Sequence, residues 1–151
     1  MARTAECACR SLKVNVDAEP IVVGACNCTQ CQRRSGSVFA VVAYFPKDRV
    51  QVSSGAYKTF EYTADSGRKG EMHFCPECGS TVFWDAEYRP DLRGVAIGCF
   101  ADPSFPAPQS AAYNRSRHPW VAFPPDVQSY HTSPLAAAGV EPPPSHSKTD
   151  H

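Results

Sequence analysis

Two short segments of the chain place cysteines at metal-ligand spacing. The segment Cys-Pro-Glu-Cys-Gly has the form of a metal knuckle, in which a tight turn brings Cys75 and Cys78 together and Gly79 takes up the unusual backbone angle. Cys7 and Cys9 are two positions apart at a strand end, so their side chains share a face and form the natural second pair. Four thiolates around zinc leave no open position, and the sequence therefore predicts a structural zinc site.

A second group of cysteines, Cys26, Cys28 and Cys31, lies in the segment CNCTQC. Three protein ligands and one vacant position are typical of a catalytic zinc. Because three thiolates donate strongly, such a zinc favours capture of a soft sulfur ligand over activation of water. The spacing therefore predicts a second zinc that binds a low-molecular-weight thiol as thiolate, with Arg33 or Arg34 offsetting the negative charge.

Other interpretations of these residues stay open at the level of sequence. Arg33 and Arg34 also suit a solvated helix end. The three cysteines would form a second structural site if Cys99, His73 or His118 supplied a fourth ligand. A Cys-x-x-Cys pair is also a redox pattern, although the strand-to-helix setting that such a motif needs is missing around the knuckle.

The elements that position these cysteines are predicted to be mainly β. Short apolar or alternating runs separated by Gly, Ser, Asp and Pro predict strands at 12–16, 21–23, 38–45, 49–52, 57–63, 71–74, 81–85 and 94–100. One short helix is expected from a Thr29 cap through Arg34, ending at Gly36. Trp120 and Phe123 are expected to pack back onto the sheet.

The whole-chain composition limits the possible partners. The 151 residues predict one domain, at 1–133, followed by a Pro-rich flexible tail at 134–151. Fifteen basic residues balance fifteen acidic ones, which argues against a nucleic-acid partner. No apolar run suits a signal peptide or a membrane span, so a cytoplasmic protein is expected, and eight cysteines in a reducing compartment indicate metal binding.

The motifs CAC, CNCTQCQRRSGS and FCPECGSTVF occur in this order, supported by GCFADP and HPWV. This ordered set resembles the glutathione-dependent formaldehyde-activating enzyme family, which includes centromere protein V, and it spans 6–130. The resemblance implies a fold like the Mss4-like β-tent. Two zinc ions per chain are implied, a structural one and a more labile one, with ligand sets Cys7, Cys9, Cys75, Cys78 and Cys26, Cys28, Cys31.

The activity implied by this resemblance is the addition of the glutathione thiol to formaldehyde. The product is S-hydroxymethylglutathione, so the reaction is that of a carbon–sulfur lyase in the reverse sense. Arg10 stands where the family usually has Gly, and Ala111 and Ala112 stand where a His and an aliphatic residue are expected. We expect these departures to spare the fold and to bear on the substrate pocket.

Two alternatives to a thiol-activating enzyme remain at this stage. One is a zinc-stabilised binding module without chemistry. The other is a redox or metal sensor, in which loss of the labile zinc lets two of Cys26, Cys28 and Cys31 oxidise. Exposed sheet edges make a homodimer an additional expectation for any of these functions.

Overall fold

Short alternating segments form two β-sheets in a computed structural model that describes residues 2–64 and 67–137. The strands are β1 Ala2–Glu6, β2 Lys13–Asp17, β3 Val22–Cys26, β4 Ala40–Pro46, β5 Val50–Ser54, β6 Lys58–Thr63, β7 Lys69–Phe74, β8 Thr81–Ala86, β9 Leu92–Ala96, β10 Ser110–Ala112 and β11 Gln128–Ser129. The helices are α1 Thr29–Ser35 and α2 Pro134–Ala137, with 3-10 turns at Lys47–Arg49, Ile97–Phe100 and Asn114–Ser116. The prediction of a mainly β fold with only short helical segments is confirmed.

The smaller sheet has three antiparallel strands in the order β1-β2-β5. Its inner face carries small and β-branched residues, and Ala5, Val14 and Val16 are fully buried. These residues alternate with exposed polar neighbours, as a half-buried strand requires. The sheet therefore turns one face towards the core and the other towards solvent.

The larger sheet has the order β11-β10-β3-β4-β9-β8-β7-β6. Most neighbours are antiparallel, but β10 runs parallel to both β3 and β11. The short strand β10 was not predicted, and its pairing of Ala112 with Cys26 brings a distant segment against the end of β3. This pairing fixes the position of the cysteine segment that follows.

The two faces of the larger sheet have different roles. One face packs on the smaller sheet and contributes Phe45, Phe83 and Val95 to the core, where each is at most 1% exposed. Burial of each of these side chains stabilises the fold by about 1.5–3 kcal/mol before cavity effects are added. The opposite face is concave and lines a large cavity described below.

Helix α1 begins directly after β3 and ends at Gly36, which adopts φ 69° and donates its N–H to the Gln32 carbonyl. The predicted Gly36 stop is confirmed. The predicted Thr29 cap is wrong by one residue, because the Sγ atom of Cys28 accepts the Cys31 N–H and caps the helix. A sulfur that caps a helix is held in a fixed direction at its N-terminus.

Two further expectations differ from the structure. The predicted strand at 94–100 is a strand only to Ala96, after which Ile97–Phe100 forms a 3-10 turn. Trp120 is 72% exposed and does not pack on the sheet, whereas Phe123 contacts Phe39 edge to face at 5.3 Å. Of the predicted tail, 138–151 lies outside the described residues. Among the residues that the structure describes, no helix is long and apolar enough to cross a membrane.

Candidate functional site

The first cysteine group is assembled from two distant parts of the chain. The Sγ atoms of Cys7, Cys9, Cys75 and Cys78 all lie within 4.8 Å of one another. The Sγ atoms of Cys7 and Cys9 are 3.6 Å apart, and those of Cys9 and Cys75 are 3.7 Å apart. A tetrahedral zinc with Zn–S bonds of about 2.3 Å separates its sulfurs by about 3.8 Å. The donor set and its spacing therefore fit zinc.

Each pair of this group sits on a turn that ends in a left-handed residue. Gly79 has φ 77° and donates its N–H to the Cys75 carbonyl at 2.8 Å. Arg10 has φ 64° and donates its N–H to the Cys7 carbonyl at 2.9 Å. A side chain at position 10 is therefore strained.

Hydroxyl groups surround the sulfurs of this first group. The Ser11 hydroxyl lies 3.2 Å from Cys9 and 3.3 Å from Cys75, and the Ser80 hydroxyl lies 3.3 Å from Cys78. Hydrogen bonds with the Ser80 hydroxyl and backbone lower the pKa of Cys78 to about 5. These donors favour thiolates, which are the form that binds a metal.

The second cysteine group is local in sequence. Cys26 ends β3, Cys28 caps α1, and Cys31 lies in the first turn of α1. Their three sulfurs lie within 4.8 Å of one another, and all three side chains are partly buried. The predicted grouping of these residues is therefore present in the structure as a compact set of possible metal ligands.

The thiols of the second group influence one another strongly. Hydrogen bonds from Cys26 and Cys28, and then the nearby Arg34 guanidinium, hold the pKa of Cys31 well below its usual value. The same contacts act in the opposite sense on Cys26, whose pKa is raised first by Cys28 and then by Cys31 and burial. One thiolate is thus favoured in the absence of a cation, and a dication would stabilise all three.

Asn27 holds the second group against the rest of the domain. The residue is fully buried, and its side-chain Nδ2 donates to the Ala112 carbonyl at 3.0 Å. The Asn27 carbonyl oxygen accepts hydrogen bonds from the side-chain amide of Gln32 and from the Ser116 hydroxyl, both at 2.8 Å. Asn27 therefore fixes the backbone between Cys26 and Cys28, a role that was not predicted from the sequence.

None of the three residues considered as a fourth ligand joins the second group among the described residues. Cys99 packs against the core, and burial raises its pKa to about 11. His73 is 5% exposed and contacts Thr59 at 2.8 Å, whereas His118 contacts a side chain of α1 at 3.3 Å. Among the described residues, the group therefore consists of three cysteines as possible ligands.

A third set of possible ligands, Glu71, His73 and Asp85, lies on the core face of the larger sheet. Asp85 accepts two hydrogen bonds from Arg93, at 3.0 and 3.1 Å, and Lys47 lies 3.4 Å away. Two cations already compensate this carboxylate. We interpret the set as an ion-pair network that supports the sheet.

A cavity of about 1210 Å³ opens beside the second cysteine group. This volume lies above the range of about 300–1,000 Å³ that is usual for ligand pockets. Its described lining includes three arginines, Arg33, Arg34 and Arg89, but no aspartate or glutamate. A ligand with negative charge would therefore complement the cavity.

Two of the three arginines of the cavity lie over aromatic rings. The Arg34 guanidinium lies 4.6 Å from the ring centre of Trp84, and that of Arg89 lies 4.8 Å from the ring centre of Tyr44. Among the described residues, the Arg89 Nε atom is buried without a hydrogen-bond partner. Of the two arginines considered from sequence, Arg34 lies at the cysteine group, whereas Arg33 is exposed.

The floor of the cavity is a row of large side chains across neighbouring strands. Phe60 on β6 is paired with Met72 on β7, which is paired with Trp84 on β8. Gly94 on β9 continues the row between Trp84 and Tyr44. The sequence showed these residues only as parts of separate strands, since the row depends on the register between strands.

The fold and the two cysteine groups define a mainly β protein with clustered thiols of metal-ligand geometry. The family model described as glutathione-dependent formaldehyde-activating enzyme matches residues 2–116, so the chain belongs to this family. The resemblance noted from the cysteine motifs is confirmed.

Two curated relatives carry the provisional name of glutathione-dependent formaldehyde-activating enzyme. The protein from Fusarium vanettenii is 29% identical over 112 residues, covering 71% of this chain and 59% of the relative. The protein from Penicillium rubens is 32% identical over 91 residues, covering 59% of this chain and 47% of the relative. The chain therefore matches about half to three fifths of the length of these relatives.

One solved structure shares the fold. The crystal structure of a Rhodobacter sphaeroides protein matches with a TM-score of 0.54 and 20% sequence identity. The match covers 66% of this chain and 91% of the other. At this level of identity the likeness concerns the fold alone.

Proposed function

We propose that this protein is a zinc enzyme that adds a glutathione-like thiol to a small aldehyde such as formaldehyde. The thiol would bind at Cys26, Cys28 and Cys31, and the product would be an S-hydroxymethyl adduct. The enzyme would thus be a carbon–sulfur lyase acting in the reverse sense, working in the reducing cytoplasm where its cysteines persist as thiols.

The observation that carries this proposal is the position of the three-cysteine group at a cavity whose described lining contains arginines but no aspartate or glutamate. Three protein ligands leave zinc a fourth position, where the ion would keep a bound substrate thiol ionised near neutral pH. Glutathione carries two carboxylates, and the arginines of the cavity complement them. Family membership supports glutathione and formaldehyde as the co-substrates.

The residues around the second cysteine group have separate roles in this proposal. Cys26, Cys28 and Cys31 hold the metal, while Asn27 fixes the backbone that carries them. Arg34 is close enough to Cys31 to offset part of the negative charge that three protein thiolates and one substrate thiolate accumulate.

The four-cysteine group has a separate role in this proposal. Cys7, Cys9, Cys75 and Cys78 would hold a structural zinc that connects β1 to the turn between β7 and β8. Four sulfur ligands leave no position for substrate. Two zinc ions per chain are therefore expected, only one of them in contact with substrate.

Cys28→Ser and Cys75→Ser separate the two roles. We expect Cys28→Ser to abolish glutathione-dependent consumption of formaldehyde, because the substrate site loses a ligand, and to leave the melting temperature nearly unchanged. Cys75→Ser should prevent folding, because structural zinc sites contribute on the order of 10 kcal/mol, which is comparable with the stability of a whole domain.

Native mass spectrometry, circular dichroism and an assay of free formaldehyde measure these effects. Wild-type protein should carry two zinc ions, and Cys28→Ser protein one. A Cys28→Ser protein with full glutathione-dependent turnover would refute the proposed substrate site. A folded Cys75→Ser protein that lacks the zinc of the four-cysteine group would refute the structural assignment.

A further inference from the structure

The aromatic floor of the cavity is not explained by formaldehyde as the aldehyde. Formaldehyde has one carbon and almost no apolar surface, so an apolar wall gains nothing from binding it. The large side chains of the floor nevertheless face the cavity from three adjacent strands. A ligand with an apolar group of its own would complement this floor.

The apolar surface is continuous and partly open to solvent. Phe60 is 57% exposed, although it is one of the largest apolar side chains of the sheet. Tyr62 follows two positions later on β6 and lies on the same face, and both line the cavity. Leu135, in the first turn of α2, also lines the cavity.

Two glycines let the aromatic rings lie close to the sheet and so keep the cavity wide. A Cβ atom at Gly70 would lie 2.3 Å from the Tyr62 ring, and one at Gly94 would lie 2.6 Å from the Trp84 ring. Both rings therefore cover glycine backbone. Both rings line the cavity, and the Arg34 guanidinium lies over the Trp84 ring.

Arg34 connects the aromatic floor to the cysteine group. Its guanidinium lies over Trp84 and close to the Cys31 thiol. The floor therefore begins beside the three sulfurs, and a substituent on a carbon bonded to a sulfur at this site would extend past Arg34 towards the exposed ring of Phe60.

We propose that the cavity takes aldehydes that carry an aromatic or similarly sized apolar group, as adducts of an anionic thiol. This proposal rests on the proposed function, since it uses the same thiol site. In the reaction, a carbon–sulfur bond forms, the carbon–oxygen double bond becomes a single bond, and the proton of the thiol ends on the new hydroxyl oxygen. No oxidant or reductant is needed.

Calorimetric titration with glutathione, S-methylglutathione and S-benzylglutathione tests this proposal on the zinc-loaded full chain. S-benzylglutathione retains the carbon–sulfur bond and the ring of such an adduct. We expect it to bind roughly 10-fold to 100-fold more tightly than S-methylglutathione, as burial of one aromatic ring predicts.

Phe60→Ala and a matched control locate the effect. Phe60→Ala should weaken S-benzylglutathione binding by about 5-fold to 10-fold, because it removes part of the floor. Ile21→Ala removes a side chain directly before β3 that is 60% exposed and lies outside the described cavity lining, and it should change no affinity. Both positions are exposed enough for the variants to fold.

The outcomes separate this proposal from the proposed function. Equal affinity for the methyl and benzyl compounds, with glutathione still bound, would overturn the apolar subsite and leave thiol binding in place. A preference for the benzyl compound that survives Phe60→Ala would overturn the assigned floor. Failure to bind glutathione and both thioethers would overturn the proposed function as well.

Discussion

Gly94→Ala tests whether the position of the Trp84 ring requires a residue without a side chain beneath it. Gly94 is buried in β9, and a Cβ atom there would lie 2.6 Å from Trp84 Nε1 and 2.7 Å from Cε2. Trp84 is only 6% exposed, and it also carries the Arg34 guanidinium. The ring must therefore move, and the cation above it must move as well.

The expected loss of stability follows from two opposing effects. Forcing an extra carbon into a packed site costs about 1–3 kcal/mol. Replacing Gly by Ala at a compatible backbone position stabilises a protein by about 0.4–1 kcal/mol, because the unfolded chain loses freedom. A net destabilisation of about 1–2 kcal/mol corresponds to a melting temperature roughly 2–8 °C lower for a domain of this size.

Gly24→Ala is the matched control on the same face of the same sheet. A Cβ atom at Gly24 meets only Ser110 Oγ, at 3.5 Å, which is ordinary van der Waals contact. This variant should therefore be neutral or slightly more stable than wild type. Thermal unfolding followed by circular dichroism measures both variants, and tryptophan fluorescence reports the displacement of Trp84. Equal melting temperatures for the two variants would refute the argument.

Two further predictions concern the backbone and the ion pairs. Arg10→Gly should raise the free energy of unfolding by about 0.5–1 kcal/mol in urea titrations, because relief of left-handed strain outweighs the added freedom of the unfolded chain. Gly79→Ala should lower the free energy of unfolding, because it introduces a side chain at a left-handed position. A less stable Arg10→Gly protein would contradict the strain at position 10. Burial raises the pKa of Asp85, but hydrogen bonds from Arg93 and His73 and the nearby cations hold it below its usual value. The stability contributed by this carboxylate is therefore complete above the unfolded pKa of about 3.9 and is lost as the pH falls through the lower folded value. In urea titrations, the difference in free energy of unfolding between wild type and Asp85→Asn should be constant from pH 7 to about pH 5 and should shrink below about pH 4. A difference that grows on acidification would contradict the ion-pair network.

The mainly β class, both cysteine groups and the end of α1 at Gly36 could be predicted from sequence because these features are local. Alternation of apolar residues identifies a strand, and close cysteine spacing identifies a knuckle. The confirmed family membership rests on the same motifs. The zinc ions themselves remain a prediction.

The features that sequence did not predict depend on contacts between distant segments. The row from Phe60 through Met72 to Trp84 requires the register of three strands, whereas alternation gives only the residues that share a face within one strand. Asn27 has its role because β10 pairs in parallel with β3, and β10 has only three residues. Trp120 shows the opposite error, since its apolar character indicated burial, whereas the residue is 72% exposed.

The two cysteine groups differ in how soon they become complete during synthesis of the chain. Cys9 and Cys75 are separated by 66 positions in the sequence, whereas the cysteines of the second group all lie in the short segment from Cys26 to Cys31. Closing the longer loop costs about 2 kcal/mol more in chain entropy. A ribosome that adds about 5–20 residues per second needs several seconds to proceed from Cys31 to Cys78. The thiols proposed for substrate binding are therefore all present before the fold that surrounds them exists, and during this interval they lack the burial that the folded domain provides.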